Sequence, residues 1–271
     1  MNERIKKTLL YMEENHLDAF LVSKGENIRY LSGFTGGEDA RLLLTPEHRY
    51  IFTDSRYFEQ TRRECPDWEL VESRPPGIEE LQKVSSGLNH IGVEGHFISY
   101  SSYRQLEQSL PNRLVPLTDV VEKLRQVKDE GELQMMREAA RIGDEVFSEL
   151  CRHKIAPGVS ERELASQIVY LLRNKGCDNE AFATIALAGE NAALPHGQPG
   201  ERRLEPGDML TMDFGGFYSG YAADMTRTVA ITEVPPEFQP RYQALLEAQK
   251  LGVSLVKAGA ACREIDAAVR N

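Results

Sequence analysis

Nowhere does this chain run to the eighteen or so consecutive apolar residues that a membrane span needs. Its opening, MNERIKKTLLYMEENHLDAF, is charged throughout and holds no apolar stretch of the kind a secretory leader uses. Cysteine is scarce. Cys65, Cys151, Cys177 and Cys262 are scattered, form no C-x-x-C pair, and support neither a disulfide framework nor zinc-finger spacing. Reduced thiols in a cytoplasmic protein are the expectation. Basic residues are in deficit, 32 against 42 acidic, giving a formal charge of −10. A surface of that sign does not displace counterions from nucleic acid or settle on an anionic membrane, so neither partner is expected. Repeats of solenoid period and low-complexity segments are missing as well.

What is present suits an ordinary globular protein. The 271 residues are 41% hydrophobic and 27% charged, enough for two domains or one large one with a substantial core. Residues 3–15 carry Ile5, Leu9, Leu10 and Met12 at helical spacing. A short apolar run, Ala19 to Val22, precedes ENIRYLSGF, and ARLLLT and RYIFT follow as two strands. Helical texture over Ser55–Glu64 and Ser101–Leu110 brackets the strand-like HIGVEG. Alternation of this kind predicts an α/β domain. The texture changes over Asp119–Glu130, and the boundary is set near residue 124, giving domains 1–124 and 125–271. A long helical stretch then runs to about Cys151 and is broken by Pro157 and Gly158. Ser160 and Glu163 form a capping box for the next helix, which ends near Gly176. FATIALAG reads as a strand, ENAALPHGQPGERRLEPGD as a loop, and Glu237–Lys257 as a helix.

The segment GDMLTMDFGGFYSGYAADMTRTVAI, residues 207–231, carries the chemistry. Two strand-like runs, Met209–Phe214 and Asp224–Ile231, flank a glycine-rich turn and predict a hairpin. Alternation puts Leu210, Met212 and Phe214 on one face and Thr211 and Asp213 on the other. Along the second run Met225, Arg227, Val229 and Ile231 fall together, opposite Asp224, Thr226 and Thr228. A turn centred on Tyr218 and Ser219 sets Asp213 directly across from Asp224. Two carboxylates on one face repel unless a cation lies between them. Three readings stay open on this pattern: solvated aspartates on an outer sheet face, a kinase-like Asp213-Phe214-Gly215 motif, or a divalent-metal site. The kinase reading has no H-R-D loop or V-A-I-K strand to support it. Mid-strand aspartate runs against β-propensity, which weakens the first reading. Paired carboxylates that hold two cations about 3.5–4 Å apart are a known hydrolytic arrangement. By its residue type and place alone, the loop residue His196 is an ordinary surface histidine.

Taken together, NAALPHGQPGERRLEPGDMLTMDFGGFYSGYAADMTRTVAI resembles the central motif of the creatinase and aminopeptidase superfamily, nearest to Xaa-Pro aminopeptidases and Xaa-Pro dipeptidases (prolidases). NIRYLSGFTGGEDARLLLT and FTDSRYFEQ resemble that superfamily's N-terminal domain, and LRQVKDEGELQMMREAARI its linker helix. The resemblance implies an α/β creatinase-like N-terminal domain followed by an incomplete α+β pita-bread catalytic domain. It implies two divalent metal ions, manganese first with cobalt and zinc as alternatives, bound by two aspartates, a histidine and two glutamates. Asp213 and Asp224 match the two aspartates. His196 resembles the non-ligand histidine that hydrogen-bonds the substrate or the tetrahedral intermediate. The implied activity is hydrolysis of the peptide bond preceding proline, on peptides with proline after the first residue, by a homodimer. A non-catalytic pseudo-peptidase that binds peptides or proteins is the alternative, and a creatinase-like hydrolase of a small amidine ranks lower. Asp54, Arg56 and Tyr57 are expected to serve the fold or an intersubunit wall, with Asp54 capping the helix that follows and Arg56 in a surface ion pair.

The ligand histidine in its H-x-x-G-H-type segment and both glutamates have no counterpart before Asn271, so the chain reads as cut short. Two carboxylates alone hold transition-metal ions weakly. A half-width sheet also exposes an edge and an apolar face. The 271-residue chain made by itself is therefore expected to show no meaningful peptidase activity and to self-associate. The check is release of the N-terminal residue from an Xaa-Pro peptide with added manganese, cobalt or zinc. Chelator-sensitive turnover by a monodisperse preparation would overturn the expectation.

Overall fold

Apolar runs such as AFLV, and the LLL that follows Arg41, show no alternation and demand strands covered on both faces. The computed structural model describes residues 2–74 and 77–271, and the chain forms two compact units, Met1–Lys128 and Asp129–Asn271. In the first unit the order is α1 (Glu3–Glu14), β1 (Ala19–Val22), α2 (Gly25–Ser32), β2 (Ala40–Leu44), β3 (Arg49–Thr53) and α3 (Phe58–Glu64). There follow β4 (Glu69–Glu72), α4 (Ile78–Val84), β5 (Ile91–Glu94), α5 (Tyr100–Ser109), β6 (Leu114–Leu117) and α6 (Val120–Gln126). The six strands form one mixed sheet in the order β4-β3-β2-β1-β5-β6, with β2 antiparallel to both its neighbours and the remaining pairs parallel. Phe20, Val22, Leu42, Leu44 and Ile51 pack on one face with Ile5 and Met12 of α1 and Ile28 of α2. Ala19, Leu21, Leu43, Phe52, Ile91 and Val93 pack on the other with Leu81 of α4 and Leu106 of α5. Every residue of β1 is buried, which is why its sequence does not alternate.

Two details depart from the sequence expectations. Leu10 is 56% exposed: the buried stripe of α1 is Ile5, Thr8 and Met12, and Leu10 lies off it. Asp54 does not cap α3, whose N-cap position is Tyr57 without a side-chain bond. Instead Asp54 Oδ1 accepts the Arg56 N–H at 3.0 Å in an Asx-type turn, and its two oxygens also hold the Arg56 guanidinium. Arg56 and Tyr57 both donate to Asp39, at 2.8 and 2.7 Å, so the trio ties two loops together.

Glu94 is a buried acid of this unit, only 9% exposed at the end of β5. Its carboxylate accepts the backbone N–H groups of Ser23 and Lys24, the latter at 2.8 Å, and Asn27 Nδ2 at 2.6 Å. These donors belong to the opening of α2, whose own N-cap, Lys24, has no side-chain acceptor. Glu94 thus caps that helix from a neighbouring strand. Burial pushes the Glu94 carboxyl upward against the pull of those hydrogen bonds.

The second unit contains α7 (Glu130–His153), α8 (Glu161–Asn174), β7 (Asn179–Glu180), β8 (Ile185–Ala188), β9 (Met209–Phe214), β10 (Gly216–Tyr218), β11 (Tyr221–Ala222), β12 (Met225–Ala230), α9 (Gln239–Leu255) and α10 (Cys262–Arg270). The long helical stretch of the sequence is two helices, α6 and α7, because Val127 adopts an extended backbone and Asp129 starts afresh with a capping box to Glu132. The Ser160–Glu163 capping box opens α8 as the sequence predicts. Two three-stranded antiparallel sheets follow, β11-β10-β7 and β12-β9-β8. Ile142, Val146 and Leu150 of α7 and Leu164, Ile168 and Leu172 of α8 pack against Leu210, Met212 and Phe214 of β9. By contrast, α9 and α10 pack on each other, bury none of their residues, and leave Leu245, Leu251, Val253 and Val256 exposed. The four cysteines are free thiols, and burial pushes that of Cys65 up to about 11. Among the described residues no helix is long and apolar enough to cross a membrane.

Replacing Glu94 with leucine removes the acceptor of two part-buried backbone N–H groups and one of the two acceptors of the buried Asn27 amide, at about 1–3 kcal/mol for each donor left unpaired before relaxation. The single tryptophan, Trp68, packs against the core of the first unit and reports its unfolding. Glu94→Leu is expected to lower the urea midpoint followed by Trp68 fluorescence, with a loss of about 3 kcal/mol. An unchanged midpoint would show that the α2 opening finds other acceptors.

Candidate active site

The site begins with the central strand of the β12-β9-β8 sheet. Burial along β9 alternates strictly, with Leu210, Met212 and Phe214 fully buried and Thr211 and Asp213 only half-buried. The core beneath therefore decides which side chains face up. On β12, Thr228 pairs with Thr211, and their hydroxyls lie 3.1 Å apart. Asp213 pairs with Thr226, whose hydroxyl donates to Asp213 Oδ1 at 2.9 Å.

This register corrects the sequence reading, in which Asp213 faced Asp224. The turn falls one residue later, on Ser219 and Gly220, both with positive φ (48° and 77°), the two-residue form that suits a hairpin's twist. Asp224 consequently lies just before β12, two residues from Thr226, and the same register sets it opposite Gly215 rather than Asp213. Extending the alternation of β12 back to Asp224 sets it on the face that holds Thr226 and Asp213, displaced by two residues along the strand. It is exposed. Gly215 is demanded by backbone approach: a Cβ there would lie 1.9 Å from the Ala223 carbonyl oxygen. Gly216 is demanded from below, where a Cβ would meet Cys177 Sγ at 2.5 Å.

His196 arrives on the loop between β8 and β9. That loop leaves the sheet at Ala188, opposite Leu210, which is three residues or about 10 Å along the strand from Asp213. It then turns back across the polar face. Leu187 pairs with Thr211 and so shares the face of Asp213, and Gly197 rests on it so closely that a Cβ at 197 would lie 2.6 Å from Leu187 Cδ1. The Gly197 N–H donates to the Leu194 carbonyl at 3.2 Å, closing a turn with Pro195 and His196 at its corners. His196 is exposed at the tip, and among the described residues no hydrogen bond joins it to either aspartate. At the far end of the loop Arg202 holds Asp208 with two parallel hydrogen bonds, of 2.6 and 2.9 Å. Burial pushes the Asp208 carboxyl up, but Arg202 and the Glu205 N–H outweigh it and hold it below its ordinary 3.8. The pair packs directly over Gly189, where a side chain would strike Arg202 Nη2.

Two carboxylates backed by hydroxyls make a hard oxygen donor set of the kind that suits a divalent cation. Asp213, fixed by Thr226, and Asp224 fit that role by donor type. Among the described residues no group of three or more His, Cys, Asp or Glu side chains gathers to hold a metal. The threonine ladder of Thr211, Thr226 and Thr228 escaped the sequence reading as more than a polar lining. Its signal is the T-x-D and T-x-T spacing on facing strands.

Comparison with known proteins accords with this architecture. Residues 4–127 match the Creatinase/Prolidase N-terminal domain, and residues 134–271 match Metallopeptidase family M24. The uncharacterized peptidase YqhT of Bacillus subtilis is 33% identical over 258 residues, covering 94% of this chain and 72% of that protein. An Xaa-Pro dipeptidase of Pyrococcus horikoshii is 29% identical over 272 residues, covering 100% and 76%. Among solved structures, the Xaa-Pro dipeptidase from Bacillus anthracis superposes with a TM-score of 0.92 at 34% identity, over 99% of this chain and 76% of that one. The X-Pro aminopeptidase from Thermotoga maritima gives 0.88 at 32%, over 96% and 76%. The chain belongs to metallopeptidase family M24, with a creatinase/prolidase N-terminal domain ahead of the pita-bread domain. It is a peptidase homologue of a family that uses divalent metal ions.

Gly215 supplies a direct test of the hairpin. Gly215→Ala forces the Ala223 backbone aside and is expected to cost about 3 kcal/mol. Amide exchange should rise over 213–226 while that of α7 and α8 stays slow. Unchanged protection across the hairpin would show that the close approach is relieved at little cost.

Proposed function

We propose that Asp213 and Asp224 hold divalent metal, two ions with manganese first and cobalt or zinc as substitutes, in an enzyme that hydrolyses the peptide bond preceding proline. What supports this reading is one observation: Asp213 stands on a sheet face that the core forces upward, Asp224 directly precedes the strand paired with it, and the loop bearing His196 folds back onto Leu187 of that same face. The relatives named as Xaa-Pro dipeptidase and X-Pro aminopeptidase supply the substrate class.

Metal bound here supplies Lewis acidity and lowers the pKa of a bound water toward about 7. The chain's own residues do the rest of the work described here. Asp213 is held in one orientation by the Thr226 hydroxyl, as carboxylate ligands generally are by their hydrogen-bond partners. Asp224 adds the second negative charge, and the cation removes the repulsion between the two. His196, on its turn, donates a hydrogen bond to the oxygen of the scissile carbonyl as negative charge develops there. The proline nitrogen of the scissile bond carries no hydrogen, so recognition on that side rests on shape and not on an N–H contact. The substrate is a peptide with proline in second place, and the assembly is a homodimer.

Manganese titration calorimetry on the chain checks the ligand assignment. Asp213→Asn and Asp224→Asn are each expected to abolish the weak manganese binding of the chain, while His196→Ala leaves it unchanged. In an enzyme with its full ligand set, His196→Ala is expected to lower kcat on an Xaa-Pro substrate by about 100- to 1,000-fold. Equal manganese affinity in all variants would overturn the metal assignment. Peptide binding without metal and without turnover would favour the pseudo-peptidase alternative.

A further inference from the structure

Glu161 is fully buried, although it is the first residue of α8 and, in sequence, looks like an ordinary first-turn acid. Its carboxylate reaches across to the loop that carries His196. Oε1 accepts the Ala188 N–H at 2.9 Å and Asn191 Nδ2 at 3.1 Å, and Oε2 accepts the Gly200 N–H at 3.1 Å. The backbone on either side joins in: Glu161 N–H donates to the Arg202 carbonyl at 2.9 Å and Arg162 N–H to that of Gly200 at 3.0 Å. Both ends of the 189–200 excursion are therefore pinned to one carboxylate. Hydrogen bonds to a carboxylate acceptor are the stronger kind.

The path from this carboxylate to His196 is short and made of hydrogen bonds. Asn191, held by its side chain, accepts the Leu194 N–H on its backbone carbonyl at 3.0 Å. Leu194 in turn accepts the Gly197 N–H and closes the turn with His196 at its corner. Gly197 rests on Leu187 of the sheet, so the turn has a floor as well as a tether. From this geometry we infer that Glu161 is a positioning residue for His196: it sets where the imidazole stands over the polar face, acting through Asn191 and the Leu194–Gly197 turn. The inference rests on His196 being the group that meets substrate, and deepens that reading by naming what holds it in place.

The test uses the chain as it is and needs no turnover. The protein has six histidines, so imidazole C–H resonances give His196 alongside five internal controls. Glu161→Gln keeps the volume but turns an amide NH₂ toward donors, and removes at least one of the three bonds. His196 is expected to shift and broaden while His16, His48, His90, His96 and His153 stay in place. Exchange at the Ala188 and Gly200 amides should rise about tenfold or more, with the β9 core amides unchanged. Asn191→Ala cuts the path without touching the buried carboxylate, and serves if Glu161→Gln fails to fold. It should move His196 while leaving the Ala188 amide protected. A His196 resonance that stays put in a folded Glu161→Gln chain, or in Asn191→Ala, would overturn the positioning role. Because no outcome here depends on catalysis, a failure of the metal or proline reading shows only in calorimetry and activity.

Discussion

A strand of period two, packed on one side, leaves no choice about its other side. Leu210, Met212 and Phe214 go down into the core of α7 and α8, so Thr211 and Asp213 go up. Most of what concerns function in the second unit follows from that. A slip of one residue would bury the aspartate and expose the phenylalanine, which the core does not allow. The hairpin turn then fixes which residue of β12 each one meets, and the Thr226 hydroxyl lands on Asp213 as a result. Stability and site are thus two readings of one alternation.

That same alternation explains what was legible in the sequence. A strand buried on both faces, such as β1, announces itself as an unbroken apolar run, and the capping box at Ser160 and Glu163 is local chemistry visible in four letters. The faces of β9 were equally clear. The register was not, because YSGY admits a turn at either of two positions. The choice fell to Ser219, a non-glycine residue that takes positive φ beside Gly220. Short edge elements went unread for a similar reason. β4 and β6 have four residues each, with no fully buried side chain to mark a period, and β6 contains Pro116.

Long-range contacts are the other class that sequence conceals. Glu94 closes a helix opening some seventy positions away, and Arg56 and Tyr57 reach back to Asp39 across a strand pair. Glu161 carries nothing in its neighbourhood to distinguish it from Glu163, yet one is buried inside a loop's attachments and the other reaches back to its own N-cap. Side chains with identical local surroundings diverge because only one of them meets a distant segment. Period and caps can be read along the chain, whereas such meetings depend on how the sheets and helices finally stack.

Gly216 and Cys177 occupy what is in effect a single volume. The thiol fills the space that a methyl group at 216 would need, and Gly216 belongs to the short sheet that continues the hairpin beyond Asp213. Neither position is free to change by itself. Across related chains, growth at 216 should be found only with shrinkage at 177, so a substitution tolerated in one relative would be rejected when moved alone into another. The order in which such changes accumulate is then constrained by packing two residues away from Phe214, and the neighbourhood of the aspartates inherits a history it does not itself determine.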